Sequence, residues 1–407
     1  MALFGTSQKT LVNVRFLKDV PSSVVVRPES KAYAWSYENG ELNIEMNQYD
    51  QISVEPDGKT DSPLFIFANP LERTALAQAK SRADMLVLEG GKIHEYPSDL
   101  SLGSYMGVYI QGGAVVNGSL VHRTETNGVR IDGCGIIDAR CNASKVVNAF
   151  NLIKASSAEI RNLTILNNTN WTFRMVECAD FVVDNIKAIG EKPDNDENDE
   201  NDAIHLVGCS NGVVKRSFGY SWDDAFNIGT DSPTSYADTD NVTITECIGW
   251  NTQPGNTFTI GWPVTGTASN ITFSNCYAIH SGTKKSPNDR GAIGVHNAGS
   301  GTITDVTFRN IQIEDPQEFG ISVYLGTHGS LDEFVGGSIR NLTFEGIYMH
   351  VKPPYGSRIK GWSSNNCVDG VCLKDIYVAG QKITGIDDRN WGQFFYPSNY
   401  FKDVTFE

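Results

Sequence analysis

The stretch TITECIGW at residues 243–250 is followed by TFSNCYAI at residues 272–279, and the two read in register. In both, apolar and polar residues alternate, a polar residue (Glu246, Asn275) stands fourth and a cysteine (Cys247, Cys276) fifth. The pattern recurs upstream in VRIDGCGI from Val129, EIRNLTIL from Glu159, VVDNIKAI from Val182 and VVKRSFGY from Val213. Downstream it returns in TFRNIQIE from Thr307, TFEGIYMH from Thr343 and CLKDIYVA from Cys372. Each time a Gly, Asn or other polar residue stands two places after the aliphatic anchor: Gly133, Asn162, Asn185, Arg216, Glu246, Asn275, Asn310, Gly346 and Asp375. Short alternating runs mark strands. Successive turn residues stand roughly 20–40 residues apart, and self-similarity at such a period marks a solenoid. One coil cannot bury its apolar face alone, so it stacks on its neighbours. The fold expected is all-β: a right-handed parallel β-helix of about nine or more coils. It begins near MGVYIQGGAVVNGSL (106–120) and runs to the C-terminus.

Stacking places like residues on like. Cys178 and Cys209 each precede their turn residue by seven places, and Cys247 and Cys276 follow theirs by one. These four are read as buried ladder residues rather than ligands or nucleophiles. The Asn-x-Thr triplets at Asn162, Asn241, Asn270 and Asn341 are read as residues of the turn column rather than as glycosylation signals. Cys367 and Cys372 are spaced to close a small loop disulfide or to remain thiols.

The N-terminal part of the chain has a different rhythm. LVNVRFL, SVVVRP, AYAWSY, ELNIEM and QISVEP alternate around turn pairs such as Asn39-Gly40 and Asp57-Gly58, which predicts a small antiparallel β-sandwich-like domain over residues 1–75. The β-helix then occupies 76–407. NPLERTALAQAKSRAD (69–84) is the one good helical segment, expected to cover the open end of the solenoid.

The 407 residues are 40% hydrophobic and 20% charged, enough for a packed core, and carry a net charge of −15. That charge excludes general binding to nucleic acid or to an anionic membrane. No run of about 18 apolar residues predicts a membrane span. The opening MALFGTSQKT lacks the apolar run of a signal peptide; the expected location is secreted or periplasmic. No paired C-x-x-C suggests a zinc site, and no cofactor is expected.

The chemistry concentrates in YSWDDAFNIG (220–229). Asp202 lies one coil before the adjacent pair Asp223 and Asp224, at a separation somewhat short of one full repeat. On a stacked solenoid the three carboxylates can share one surface. Clustered acids repel, so their proton affinities diverge, and hydrolysis of a glycosidic bond needs such divergence: one acid for the leaving oxygen, one base for water. The competing reading is an acidic loop or calcium site in KPDNDENDENDAIH (192–205). Trp171, Trp222, Trp250 and Trp262 fall on nearby coils, and indole faces are platforms for sugar rings.

WDDAFNIG (222–229), CIGWNTQPGNTFTIGW (247–262) and NITFSNCYAIHSGTKKS (270–286) together resemble glycoside hydrolase family 49, the dextranases and isopullulanases, whose clan also holds the family 28 polygalacturonases. YIQGGAVVNGSL and VRIDGCGIIDAR are similar to the clan's entry coils, so the resemblance spans roughly Tyr105 to Asn297. It implies inverting hydrolysis by three aspartates, with Asp223 as general acid and Asp202 and Asp224 holding and activating water. Asp202 stands in ENDAI, where Asn201 and Ala203 depart from the clan's Thr-Asp-Gly-like sequence. Trp222, Trp250, Trp262, Asn256, His280, Lys285 and Arg290 are expected to line the substrate site. Family 28 fits less well in two places. Asn256 replaces the histidine of its Gly-His-Gly motif. The Arg358-Ile359-Lys360 triplet stands several coils beyond Asp224, too far to serve as its carboxylate grip.

The resulting expectation is an inverting hydrolase of a neutral α-glucan. The alternatives are a polygalacturonase-like enzyme helped by a basic patch of Lys284, Lys285 and Arg290, a non-catalytic carbohydrate-binding β-helix, and a calcium-dependent lyase, for which no basic residue stands beside Asp223.

Overall fold

The nine turn residues of the repeat share one backbone conformation. All have positive φ, from 47° at Arg216 to 117° at Gly133. An L-residue with a Cβ in this region costs about 1–2 kcal/mol unless a short polar side chain bonds locally, which explains the preference for Asn and Gly. The asparagines recover part of that cost across coils: Asn162 Nδ2 donates to Asp132 Oδ1 (2.9 Å), Asn185 Nδ2 to Asn162 Oδ1 (3.0 Å) and Asn310 Nδ2 to Asn275 Oδ1 (2.8 Å). Arg216 is held differently; its guanidinium grips both oxygens of Asp184 one coil earlier, at 2.9 and 2.5 Å.

The computed structural model describes all residues except 124, 143–147, 168–169, 191–200, 231–236, 254, 283–289, 328–334 and 387–398. Among the described residues, 30 strands join one sheet of the β-helix. Each coil contributes a strand before the left-handed turn, a second after it, and a third beyond a loop. On the first face a single column of residues pairs in series: Leu86, Val108, Ile131, Ile160, Val183, Val214, Ile244, Phe273, Phe308, Phe344, Leu373 and Phe406. Neighbouring coils are about 4.8 Å apart, so aromatic residues in the column stack. Phe273 and Phe308 lie 4.8 Å apart at 9°, and Phe308 and Phe344 5.3 Å apart at 5°. Such a pair adds about 0.5–1.5 kcal/mol to simple burial.

The solenoid starts one coil earlier than the repeat suggests, at Met85–Leu88, which pairs in parallel with Gly107–Ile110. The first two coils turn on glycine, Gly91 and Gly113, both with positive φ. A Cβ on Gly90 would come within 2.4 Å of the Gly112 carbonyl, so the LEGGKI and IQGGAV turns nest only as bare backbone.

The cysteines lie where their spacing predicts. Cys178, Cys209, Cys247 and Cys276 are buried thiols inside the solenoid, and burial pushes the Cys209 and Cys247 thiols up, which makes them inert. Cys367 and Cys372 form no disulfide. Of the Asn-x-Thr asparagines, only Asn162 lies on the turn column. Asn241, Asn270 and Asn341 are exposed, on a second left-handed column that opens the first-face strands.

The chain divides into two compact units, Met1–Ala83 and Asp84–Glu407. In the first, a four-stranded sheet and a three-stranded antiparallel sheet share one core. Val24, Val26, Ile52, Val54, Ile66 and Ala68 come from the larger sheet and Leu42, Ile44 and Met46 from the smaller. The helix Arg73–Lys80 belongs to this unit. No helix among the described residues is long and apolar enough to cross a membrane.

One buried cation in the solenoid makes the stability pH-dependent. Lys187 is wholly buried, and its Nζ donates to the carbonyls of Asn162 (2.8 Å) and Asn185 (2.9 Å) at the left-handed turns. Burial pushes its ammonium down to about 7, against the pull of Cys134 and Asp184. Between that value and the unfolded-state value of 10.5 the unfolded chain holds a proton that the folded chain has lost, so stability rises with pH across this window. In urea denaturation followed from pH 7 to 10, Lys187→Met should lack this rise, and its midpoint relative to wild type should fall steadily with pH. Parallel profiles would refute the assignment.

Candidate active site

The third-face strands Phe173–Val176, Ile204–Val207, Phe226–Gly229 and Phe258–Ile260 pair in register, Phe173 on Ile204 on Phe226 on Phe258. Two residues before these inward side chains stand Trp171, Asp202, Asp224 and Asn256, and one residue after them Arg174, His205, Asn227 and Thr259. The approach is stitched by main-chain bonds: Thr172 N to Asp202 O (2.8 Å), Ala203 N to Asp224 O (3.0 Å) and Ala225 N to Asn256 O (3.0 Å). Asp202 is thus the stacking equivalent of Asp224, while Asp223 precedes the row by one residue, its N–H bonded to Asn201 O at 3.3 Å.

The three carboxylates meet. One oxygen from each of Asp202, Asp223 and Asp224 lies within 4.8 Å of the other two. Asp202 and Asp224 are 3% and 4% exposed, and Asp223 is half-buried. Asp202 accepts from Asp224 N (3.3 Å) and Asn227 Nδ2 (3.2 Å), and His205 Nδ1 lies 2.5 Å from its Oδ2. Asp224 accepts from Asn256 N (2.6 Å), Asn256 Nδ2 (3.0 Å) and Asn227 Nδ2 (3.0 Å). Asn227 thereby bridges the two acids. Asn256 is oriented in turn, since its Oδ1 accepts the Gly291 N–H at 2.9 Å.

Two glycines make room. A Cβ on Gly255 would lie 2.4 Å from the Asp223 carbonyl carbon, and one on Gly294 would lie 2.4 Å from Asn256 Oδ1. The trio is also spaced to hold a divalent cation. The amide N–H groups aimed at its oxygens suit acceptor work on water and sugar hydroxyls better than a cation cage, which needs those lone pairs itself.

The remaining expected site residues divide. Trp222 and Trp262 are half-buried, and the Arg290 guanidinium lies 5.2 Å from the Trp262 ring centre. Trp250 is a correction: at 2% exposure it packs between Tyr220 (5.3 Å) and His280 (4.3 Å) on the second face and offers no sugar platform. His280 is buried beside it, its Nδ1 bonded to Asp315 at 2.8 Å. Asn256 is fully buried and holds Asp224 instead of lining the surface. Lys284, Lys285 and most of the acidic run 192–205 lie outside the described residues. Arg358 stands four rungs beyond Asn227 in the row Asn227, Thr259, Gly294, Ser322, Arg358, away from the carboxylates.

Asn227, His205 and Arg174 were not anticipated. For His205 and Asn227 the signal was a short repeat, Asp-Ala-Ile-His at 202–205 and Asp-Ala-Phe-Asn at 224–227, which places an acid before and a polar residue after the same inward position; Arg174, in Trp-Thr-Phe-Arg, has no such signal.

Three carboxylates gathered on one face of a parallel β-helix are the kind of groups that acid- and base-assisted cleavage of a glycosidic bond needs. The sequence profile of Glycosyl hydrolases family 28 matches residues 104–391, and the chain belongs to that family. It is a glycoside hydrolase. Its fold is similar to that of Dex49A from Penicillium minioluteum, at TM-score 0.64 and 16% identity over 100% of this chain and 82% of that one. It is also similar to the polygalacturonase from Erwinia carotovora ssp. carotovora, at TM-score 0.55 and 13% identity over 82% and 93%. A third likeness is to the endo-xylogalacturonan hydrolase from Aspergillus tubingensis, at TM-score 0.50 and 14% identity over 80% and 94%. At such identities the likeness is one of fold. A search of curated proteins gives no match.

Because Asn227 serves two acids at once, its loss should misplace both. Asn227→Ala is expected to lower kcat about 100-fold, the scale of a 1 Å misplacement, while the far-ultraviolet circular dichroism stays that of the wild type. Unchanged kcat on the enzyme's best polymer would remove Asn227 from the machinery.

Proposed function

We propose that the chain is an inverting hydrolase of α-glycosidic bonds in a neutral polysaccharide of the α-glucan type. The observation that carries this reading is the convergence of Asp202, Asp223 and Asp224 with the donors that surround two of them. Asp202 and Asp224 each accept amide and main-chain N–H bonds, donors that suit a carboxylate acting as acceptor, so they hold and orient the attacking water. Asp223, half-buried and one residue out of the row, gives its proton to the leaving oxygen. Water attacks the anomeric carbon from the other side and passes its proton to the carboxylate pair. General acid catalysis of this kind contributes about 10²–10⁴-fold.

Carboxyl groups across an inverting site typically stand ~6.5–9.5 Å apart and those of a retaining site ~5–5.5 Å. The trio, with oxygens within 4.8 Å, does not meet the inverting spacing. The stereochemical proposal rests instead on the donor pattern: two acids already engaged in accepting are water holders rather than a free nucleophile. Half-buried Trp222 supplies an apolar face for a sugar ring, whereas the Trp262 ring packs against His296 and Tyr324.

Reducing-sugar release from dextran, pullulan, other α-glucans and polygalacturonate tests the substrate; cleavage of polygalacturonate alone would reverse the choice. Asp223→Asn should lower kcat by about 100-fold or more with polymer binding retained by affinity electrophoresis, and an active variant would remove Asp223 as the acid. In proton NMR the first-formed reducing end should be the β-anomer. An α-anomer formed first would show a covalent intermediate and end the water-holding assignment.

A further inference from the structure

His205 occupies the row position after the inward Ile204, between Arg174 one rung before and Asn227 one rung after. Its Nδ1 lies 2.5 Å from Asp202 Oδ2. The ring is held from the side: its centre is 4.7 Å from that of Trp171, and the Arg174 guanidinium lies 4.5 Å from the same indole. Its side chain is 12% exposed. The nitrogen facing Asp202 is Nδ1.

We propose that His205 is a positioning residue: by donating Nδ1–H to Asp202 Oδ2 while clamped by the Trp171–Arg174 stack, it fixes the carboxylate that holds the hydrolytic water. The contact shares Oδ2 between an imidazole and the Asn227 amide and leaves Oδ1 to the Asp224 N–H. A carboxylate held at both oxygens cannot rotate, so its remaining lone pairs point one way. The imidazole achieves what a second amide would not, because its ring reaches the carboxylate from a rigid stack rather than a flexible stem. Among the described residues, Asp202 on its own coil and Asp223 and Asp224 on the following one are the acids gathered beside it, and Arg174 is the cation one rung before. The inference rests on the hydrolytic reading only for its consequence; the bond and its direction stand apart from it.

The experiment has two arms. In the first, the neutral tautomer of His205 is read from ¹⁵N shifts of histidine-labelled full-length protein at pH 8, assigned by comparison with His205→Asn. The proton is expected on Nδ1 in the wild type and on Nε2 in Asp202→Asn, whose amide can donate to Nδ1. A wild-type ring protonated on Nε2 overturns the proposal whether or not the protein hydrolyses any polymer. In the second, kinetics on the best polymer of the panel compare His205→Ala with His205→Asn, whose amide nitrogen falls where Nδ1 was. The alanine variant should lose about 100-fold in kcat with KM little changed, and the asparagine variant should recover most of it. Equal kcat for wild type and His205→Ala overturns the proposal and leaves the hydrolase standing. The expected tautomers in a protein that cleaves no polymer uphold the bond and sink the hydrolytic reading instead.

Discussion

Each coil of the solenoid must reverse direction at a fixed place, and it does so by holding one residue at positive φ. This backbone requirement sets the register of everything else. Coils of unequal length lie in one register because the turn at Asn162, Asn185, Arg216 or Glu246 fixes where the next strand begins. Differences in length are absorbed by the loops on both sides of the third face, ahead of it between Asn185 and Ile204 and after it between Ile321 and Gly346. With the register fixed, the apolar column fills itself: Val214 meets Ile244, Ile244 meets Phe273, and the phenylalanines stack in parallel. The polar row on the third face inherits the same alignment from the inward residues beneath it, Ile204 on Phe226 on Phe258, and its own hydrogen bonds through Asn227 and Asn256 tighten it.

The row that carries the acids is therefore a by-product of core packing. Asp202 and Asp224 come together because Ile204 sits on Phe226 in the interior. Asn256 reaches Asp224 because Phe226 sits on Phe258. The glycines complete the argument from the other side, since Gly294 and Gly255 mark where the stack leaves no space for a methyl group. A solenoid can build a site of this kind one rung at a time, with small changes in the row leaving the ladder beneath untouched.

The turn column was legible because it imposes a chemical preference, Gly, Asn or Asp, on a regular spacing. Where glycine alone did the turning, at Gly91 and Gly113, the first coil was missed, although LEGGKI and IQGGAV are one motif repeated on adjacent coils. The convergence of the three acids was legible from their offsets, but the pairing within the trio was not. The coil between Asp202 and Asp224 is short, and the equivalence of those two appears only once both are counted from the inward residue that follows. Trp250 and His280 were misplaced for a different reason. Alternation separates two faces of a strand, but on the second face both are covered, the outer one by a ladder of Tyr220, Trp250 and His280. An indole there looks in the sequence like one standing beside the substrate.

Holding three carboxylates within 4.8 Å of one another is an electrostatic cost, and the choice of groups that offset it bears on the chemistry. A lysine or arginine paired to Asp202 or Asp224 would neutralise the cluster and shorten its reach. The amides of Asn227 and Asn256 and the main-chain N–H groups of Asp224 and Asn256 stabilise negative charge while adding none of the opposite sign. The cluster keeps its field, set in a chain of net charge −15. Such a field stabilises the positive charge that develops on a sugar ring as the glycosidic bond breaks. It opposes a polymer bearing a carboxylate on every ring far more than one bearing only hydroxyls. The roles proposed for Asp202, Asp223 and Asp224 draw on this field.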